Sequence, residues 1–386
     1  MTSKPIFNAV DNAFLTERNL VKPAVNRRRL IASSLSHSEP LSSSESGGSE
    51  DPAVDARVYT LIPEFLHSKE TLEWLGWTSQ KAAEIWARWT TINSVEVWDD
   101  VVLEVEFLEH ATGHIPYNEL EDSAGDWEEH MRDWGVSSEL INAIMDAEFS
   151  NVRLTESAHH WVRDTMEIRY LSLERIMRDS DSRAENRDTL NTSVVTDTAS
   201  GTSNVPGHLT LYKAISTDRV RRDREGNIEI DSLVSGTPSD FRGIGGTMLY
   251  FAPDLKAAEH YRNYIKRRAT TSPALIIRLS LPNAFIEGLP PHIIEFGDFW
   301  RQAIHTCRSG RNLKGNLKYL HTLPLIITPI AHSPNIAIAR LQDWQQVTIS
   351  HIFRLEGQQN TAVQYIFQGD DTVGQIEEVC ELKVVV

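Results

Sequence analysis

The side chains best able to do chemistry are few and poorly spaced for it. His159-His160, His305 and Cys307 are the tight groupings of metal-ligating residue types. Neighbouring residues on a helix point about 100° apart, so His159 and His160 cannot readily share one ion. His305 and Cys307 meet the same difficulty, and no CxxC or HExxH occurs, so no metal is expected. Cys307 falls on the apolar side of its helix, which reads as a buried, inert thiol. No Gly-x-Ser-x-Gly elbow or P-loop is present. Arg242-Gly-Ile-Gly-Gly-Thr247 is glycine-rich, but it precedes a strand and lacks the helix N-terminus that cradles phosphate. Two basic groups remain. Arg262, Lys266, Arg267 and Arg268 end one helix, and Arg301, Arg308, Arg311 and Lys314 gather near another. Cations there complement the helix dipole, and a phosphate-bearing ligand is the alternative.

Composition bounds the partners. The chain has 386 residues and a net charge of −16. That balance makes nucleic acid an unlikely partner, because phosphate contacts need clustered Lys and Arg, and it argues against attachment to an anionic membrane. Two cysteines, Cys307 and Cys380, suit a reducing compartment. The N-terminus lacks the apolar core of a signal peptide, and no run approaches the ~20 apolar residues that span a bilayer. A cytoplasmic protein is expected, with a nuclear location as the alternative.

The elements that would position these residues divide the chain. Residues 1–56 read as a disordered tail, because 33–51 is almost all Ser, Gly, Glu and Pro. Arg27-Arg28-Arg29 within it suggests a nuclear signal or a phosphorylation-controlled tail, against a plain solvated tail. Residues 57–179 read as a helical domain. Ala82, Ile85, Trp86 and Trp89 fall at i, i+3, i+4, i+7, and Val162, Met166, Tyr170, Leu173 and Met177 form a longer stripe. Gly135 stops a helix carrying Trp127 and Trp134, and Ser137 or Ser138 starts the next. Residues 180–206 have linker composition.

Residues 207–386 change character, with short β-branched runs bounded by Gly, Pro, Asn and Asp. Strands are expected at 209–215, 228–233, 248–252, 274–281, 323–331, 337–341, 347–355 and 362–368. Helices are expected at 254–268, 298–308 and 371–382, with Asp254 and Asp298 as caps of the first two. Many strands and few helices, without strict alternation, indicate an α+β fold. No solenoid or propeller repeat is evident.

One order of motifs in this second half is distinctive. Leu209-Thr-Leu-Tyr-Lys-Ala-Ile215 is followed by Thr247-Met-Leu-Tyr-Phe-Ala-Pro-Asp-Leu-Lys-Ala-Ala-Glu-His-Tyr261. Then come Ala274-Leu-Ile-Ile-Arg-Leu-Ser-Leu-Pro-Asn-Ala-Phe285, Leu325-Ile-Ile-Thr-Pro-Ile-Ala331 and Ala362-Val-Gln-Tyr-Ile-Phe-Gln-Gly-Asp-Asp371. The series resembles the ADP-ribosyltransferase-like domains of uncharacterised fungal proteins. The helical domain, with Ile85-Trp-Ala-Arg-Trp89, also looks like the one those proteins carry, so the resemblance covers roughly residues 57–386. It implies an all-helical domain followed by a split sheet that grips NAD in a cleft. It places a nucleotide-binding residue at Lys213, a nicotinamide-supporting residue at Tyr250, and at Asp370 the carboxylate that stabilises the oxocarbenium-like transition state.

Two of these positions depart from the family pattern. Lys213 stands where an Arg fork or a His ring is usual. Asp370 is one methylene shorter than the usual Glu, leaving it about 1.5 Å short of its target, a misplacement that can cost on the order of 10²-fold in rate. The departures favour a catalytically degenerate domain over an active ADP-ribosyltransferase or NAD glycohydrolase. The rival is a binding or scaffold protein that offers the Trp-rich helices and the sheet domain to a protein partner. Convergence of Lys213, Tyr250 and Asp370 on one open cleft would favour the first reading; dispersal or plugging would favour the second.

Overall fold

A computed structural model describes residues 4–36, 59–94, 106–116, 126–185, 205–235, 240–241, 246–355 and 361–385. The start of the chain corrects the expectation of a disordered tail over 1–56. Helix α1 (Ala9–Glu17) is capped by Asn8, whose side chain accepts from the Val10 N–H. It leads into a hairpin of β1 (Val21–Ala24) and β2 (Arg28–Ala32), then the short α2 (Ser33–Ser36). β3 (Tyr59–Pro63) pairs antiparallel with β2 and completes a three-stranded sheet. Ile6, Leu15, Val21, Ile31 and Ile62 are buried there in the core the segment shares with the helical half, and that burial offsets its ordering entropy. The basic triplet is structural. Asn26 and Arg27 turn the hairpin with positive φ, Arg28 pairs with Glu73, and Arg29 donates to Glu64 at 2.7 Å. Most of the Ser-rich stretch lies outside the described residues.

The helical half follows as α3 (Lys69–Leu75), α4 (Ser79–Ser94), α5 (Phe107–Thr112), α6 (Trp127–Asp133), α7 (Ser138–Ile144), α8 (Ser150–Arg153) and α9 (Ala158–Glu185). The expected stripe on α4 is inward: Ala82, Ile85 and Trp89 are buried and Trp86 is half-buried. The α3–α4 and α6–α7 turns pair with each other. Ser137 N–H donates to Gly76 O at 2.7 Å, and Thr78 N–H donates to Gly135 O at 2.9 Å. Gly76 has φ +125°, and an added Cβ would sit 2.4 Å from Leu140 Cδ2, so a side chain is excluded there. Ser137 caps α7.

Helix α9 is the central element of this half and runs six residues past the expected boundary at 179, to Glu185. Ser180 explains the extension: its hydroxyl is buried and donates to Asp11 at 2.6 Å, while Arg183 donates to both Asp11 oxygens at 3.0 and 2.9 Å. The N-terminal segment is thus docked on the end of α9. Residues 186–204 of the expected linker lie outside the described residues.

The second half comprises β4 (His208–Ser216), β5 (Met248–Phe251), α10 (Leu255–Arg268), β6 (Ala274–Pro282), α11 (Asn283–Gly288), β7 (Pro291–Ile293), α12 (Asp298–Arg308), β8 (Leu325–Pro329), α13 (Asn335–Ala339), β9 (Val363–Gln368), α14 (Asp370–Val379) and β10 (Glu381–Val385). With the helices of the first half this is a mixed α+β chain, as expected, but its strands divide between several small sheets. One sheet has the order β10-β6-β4, all antiparallel. The other has the order β5-β9-β8-β7, parallel only between β7 and β8. Tyr212 and Ala252 exchange backbone hydrogen bonds of 2.7 and 2.9 Å and join the two sheets at one point. Leu211, Leu249, Phe251, Ile277, Leu279, Phe367 and Ile376 form one core shared by both, and each buried side chain of this size contributes roughly 1.5–3 kcal/mol of burial.

Three strand expectations change. Residues 230–233 form a 3₁₀ turn, 335–339 form α13 directly after Pro334, and 347–355 hold one 3₁₀ turn at 349–351 with isolated bridges. An apolar run of that length suits a helix or a strand equally, and a proline at the entry favours the helix. The last helix ends at Val379, and the alternating Glu-Leu-Lys-Val-Val then pairs with β6. Asp254 caps α10, accepting from Lys256 N–H at 2.9 Å, whereas the Asp298 expected as a cap lies inside α12.

A buried ionic seam ties the halves together. Asp164 on α9 accepts from Arg268 at 2.7 Å and from Arg219 at 2.6 Å. Burial alone would raise its pKa, but Arg219 and Arg268 outweigh that and hold the carboxyl well below the usual range. Arg169 grips Glu139 through two 2.9 Å bonds and donates to Arg268 O at 3.1 and 2.8 Å. The Arg268 guanidinium lies 4.7 Å from the Trp161 ring centroid and 4.5 Å from that of Tyr264. Of the first basic group, Arg268 is consumed here and Arg267 by Asp146 at 2.7 Å.

Candidate functional site

Lys213 stands on β4 and Tyr250 on β5; the sheets meet where Tyr212 in the middle of β4 bridges Ala252 just past the end of β5. The Lys213 ammonium donates to Ser235 Oγ at 3.0 Å and to the Tyr250 carbonyl at 3.3 Å, 5.9 Å from the Phe251 ring centroid. It therefore spans the seam to the backbone of β5, a strand at the edge of its sheet. Burial pushes its pKa down to about 8, and nearby Arg219 pushes the same way.

The Tyr250 side chain belongs to the opposite face of β5, where it packs with the core under α12. Its hydroxyl donates only to Met248 Sδ, at 3.4 Å. Burial raises the phenol pKa well above its ordinary value, and Asp240 adds to the rise. Lys213 and Tyr250 thus meet through a backbone carbonyl, with their functional atoms on different sides of the strand.

Asp370 does not join them. It is the first residue of α14, exposed, and accepts from Thr247 Oγ1 at 2.5 Å beyond the start of β5. It borders a pocket of about 370 Å³ lined by His321–Pro324 and Gln368–Thr372, which contains neither Lys213 nor Tyr250. Another pocket, of about 570 Å³, lies between α4 and α5 and is lined by Ala87, Arg88, Ile92, His110 and His114 among others.

The β9 residue opposite Tyr250 is Ile366, and by alternation the next polar side chain on that face is Gln364. Gln364 is buried and donates through Nε2 to Asp240 Oδ2 at 2.7 Å. Asp240 also accepts from Ala331 N–H at 2.9 Å and from Arg308 Nε at 2.9 Å. Arg308 in turn donates to Thr155 O at 3.0 Å and Ala331 O at 3.2 Å. A closed ion pair and an amide therefore fill the Tyr250 face. The signal in the sequence was the alternation itself: Val-Gln-Tyr-Ile-Phe-Gln sets Gln364 and Gln368 as polar positions on one face of the strand.

The remaining candidates are structural. Cys307 is buried and His305 Nε2 contacts Leu341 O at 3.3 Å. His160 packs edge-on against Trp161. Residues 242–245 of the glycine-rich stretch lie outside the described residues. Among the described residues no group of three or more His, Cys, Asp or Glu could hold a metal ion, and no helix is long and apolar enough to cross a membrane. No protein-family model matches the chain, and searches of curated proteins and of solved structures return no match.

Proposed function

We propose that this chain is a non-enzymatic partner-binding protein built on an ADP-ribosyltransferase-like framework. The framework is supported by the two half-sheets joined at one bridge and by Lys213 and Tyr250 on the two bridged strands. A framework alone does not carry a reaction. Transfer of ADP-ribose from NAD needs an ionised carboxylate free to face a developing cation. The observation that carries the non-enzymatic reading is the occupation of the Tyr250 face: Gln364 is a neutral amide, and Asp240 is already held by Arg308, Gln364 and the Ala331 N–H.

A second reading, NAD binding without turnover, rests on one feature. Lys213 lies at the seam between the sheets, where an ammonium would meet a nucleotide phosphate. Calorimetry with NAD on the full chain separates the two. Absence of heat at millimolar NAD supports the partner-binding reading. Saturable heat that disappears in Lys213→Ala supports nucleotide binding in its place.

A further inference from the structure

Resting on the reading of the chain as partner-binding, we infer that the exposed basic segment carrying Arg311, Lys314 and Lys318 receives an acidic peptide segment of a protein partner. The sequence is strongly asymmetric here. In a chain of net charge −16, no Asp or Glu occurs from Phe299 to Gln342, while Arg301, Arg308, Arg311, Lys314, Lys318 and Arg340 do. Two of these cations are spent internally. Arg308 is buried on Asp240, and Arg301 donates to Val347 O at 2.7 Å and to Asp298 at 3.0 Å. Arg311, Lys314 and Lys318 are exposed and have no acidic partner among the described residues.

All three lie within the stretch from Arg311 to Lys318. Residues 315–322 form a 3₁₀ helix, in which every third residue shares a face. Leu317 and Leu320 make the buried face, with Leu313 just upstream. Lys318 heads an outer face, and Tyr319 heads the other, packing edge-on against His292 of β7. β7 is the edge of its sheet, with Ile293 63% exposed. The basic surface is bounded at His321, which lines the same pocket as Asp370 and Asp371. A short acidic peptide fits this extent. A nucleic acid would run on to acidic surface and be repelled by the chain's overall charge.

The test is fluorescence anisotropy of a labelled oligo-glutamate peptide with the full-length chain at low salt. Saturable binding is expected, and Arg311→Glu/Lys314→Glu/Lys318→Glu should weaken it by about tenfold or more. A charge-matched control, Arg221→Glu/Arg222→Glu/Arg224→Glu, should bind as wild type. No binding by wild type, equal loss in the control, or tighter binding of an oligouridine RNA than of the peptide would overturn the inference. Nicotinamide release from NAD by the same preparations would overturn the non-enzymatic reading and leave the peptide result standing.

Discussion

Gln364 donates its amide N–H to Asp240 at 2.7 Å, so the carboxylate on the Tyr250 face is engaged before any ligand arrives. The relationship makes the site self-contained. Both Asp240 and Arg308 are almost entirely buried, at 4% and 2% exposure. Burying such a pair has a large desolvation cost, offset only because backbone groups and Gln364 satisfy what remains.

Gln364→Glu should therefore not restore a catalytic carboxylate. It would place a second acid against Asp240 and leave a buried charge without a partner. The variant is expected to lose about 3 kcal/mol of stability at neutral pH, measured by urea unfolding, with no gain in NAD turnover.

Breaking the ion pair from one side should cost more than removing it whole. Asp240→Ala strands the Arg308 guanidinium and is expected to lose about 3–5 kcal/mol, while Asp240→Leu/Arg308→Met should lie closer to wild type. Unfolding curves for the single and double variants measure the difference.

Asp164 links the halves, and its effect has a definite sign with pH. Its folded pKa is depressed by Arg219 and Arg268 against the opposing effect of burial. The stabilisation is present above the unfolded carboxylate pKa of about 3.9 and is lost as pH falls below it. Wild type should lose stability more steeply than Asp164→Asn as pH drops below about 4, read from chemical unfolding across that range. Equal slopes would show that the seam is not held by this charge.

Lys213 also makes stability rise with pH, but because its charged form is the one that burial disfavours. Its folded pKa of about 8 lies below the unfolded value, so the unfolded chain binds more protons between about pH 8 and 10.4. Stability from this group should rise with pH through that window. Lys213→Met should be more stable than wild type at pH 7, and the gap should close toward pH 10.

Much of this was legible in the sequence. The stripe from Val162 to Met177, the glycine stop at Gly135, and the strands bearing Lys213 and Tyr250 follow from periodicity and turn chemistry. What was missed depends on distant contacts. Asp11 is buried only because Ser180 and Arg183 meet it, so composition alone made its segment look unfolded. The resemblance points to Asp370, whereas the antiparallel register of β5 with β9 sets Ile366 opposite Tyr250 and Gln364 two residues along on the same face. Gln364 carries no charge to draw notice, and its partner Asp240 comes from another part of the chain.

The most direct measurement is nicotinamide release from NAD by the purified full-length chain, compared with Tyr250→Ala. Release at the level of the buffer blank for both proteins is the expected result. Release above the blank by wild type, abolished in Tyr250→Ala, would contradict the account.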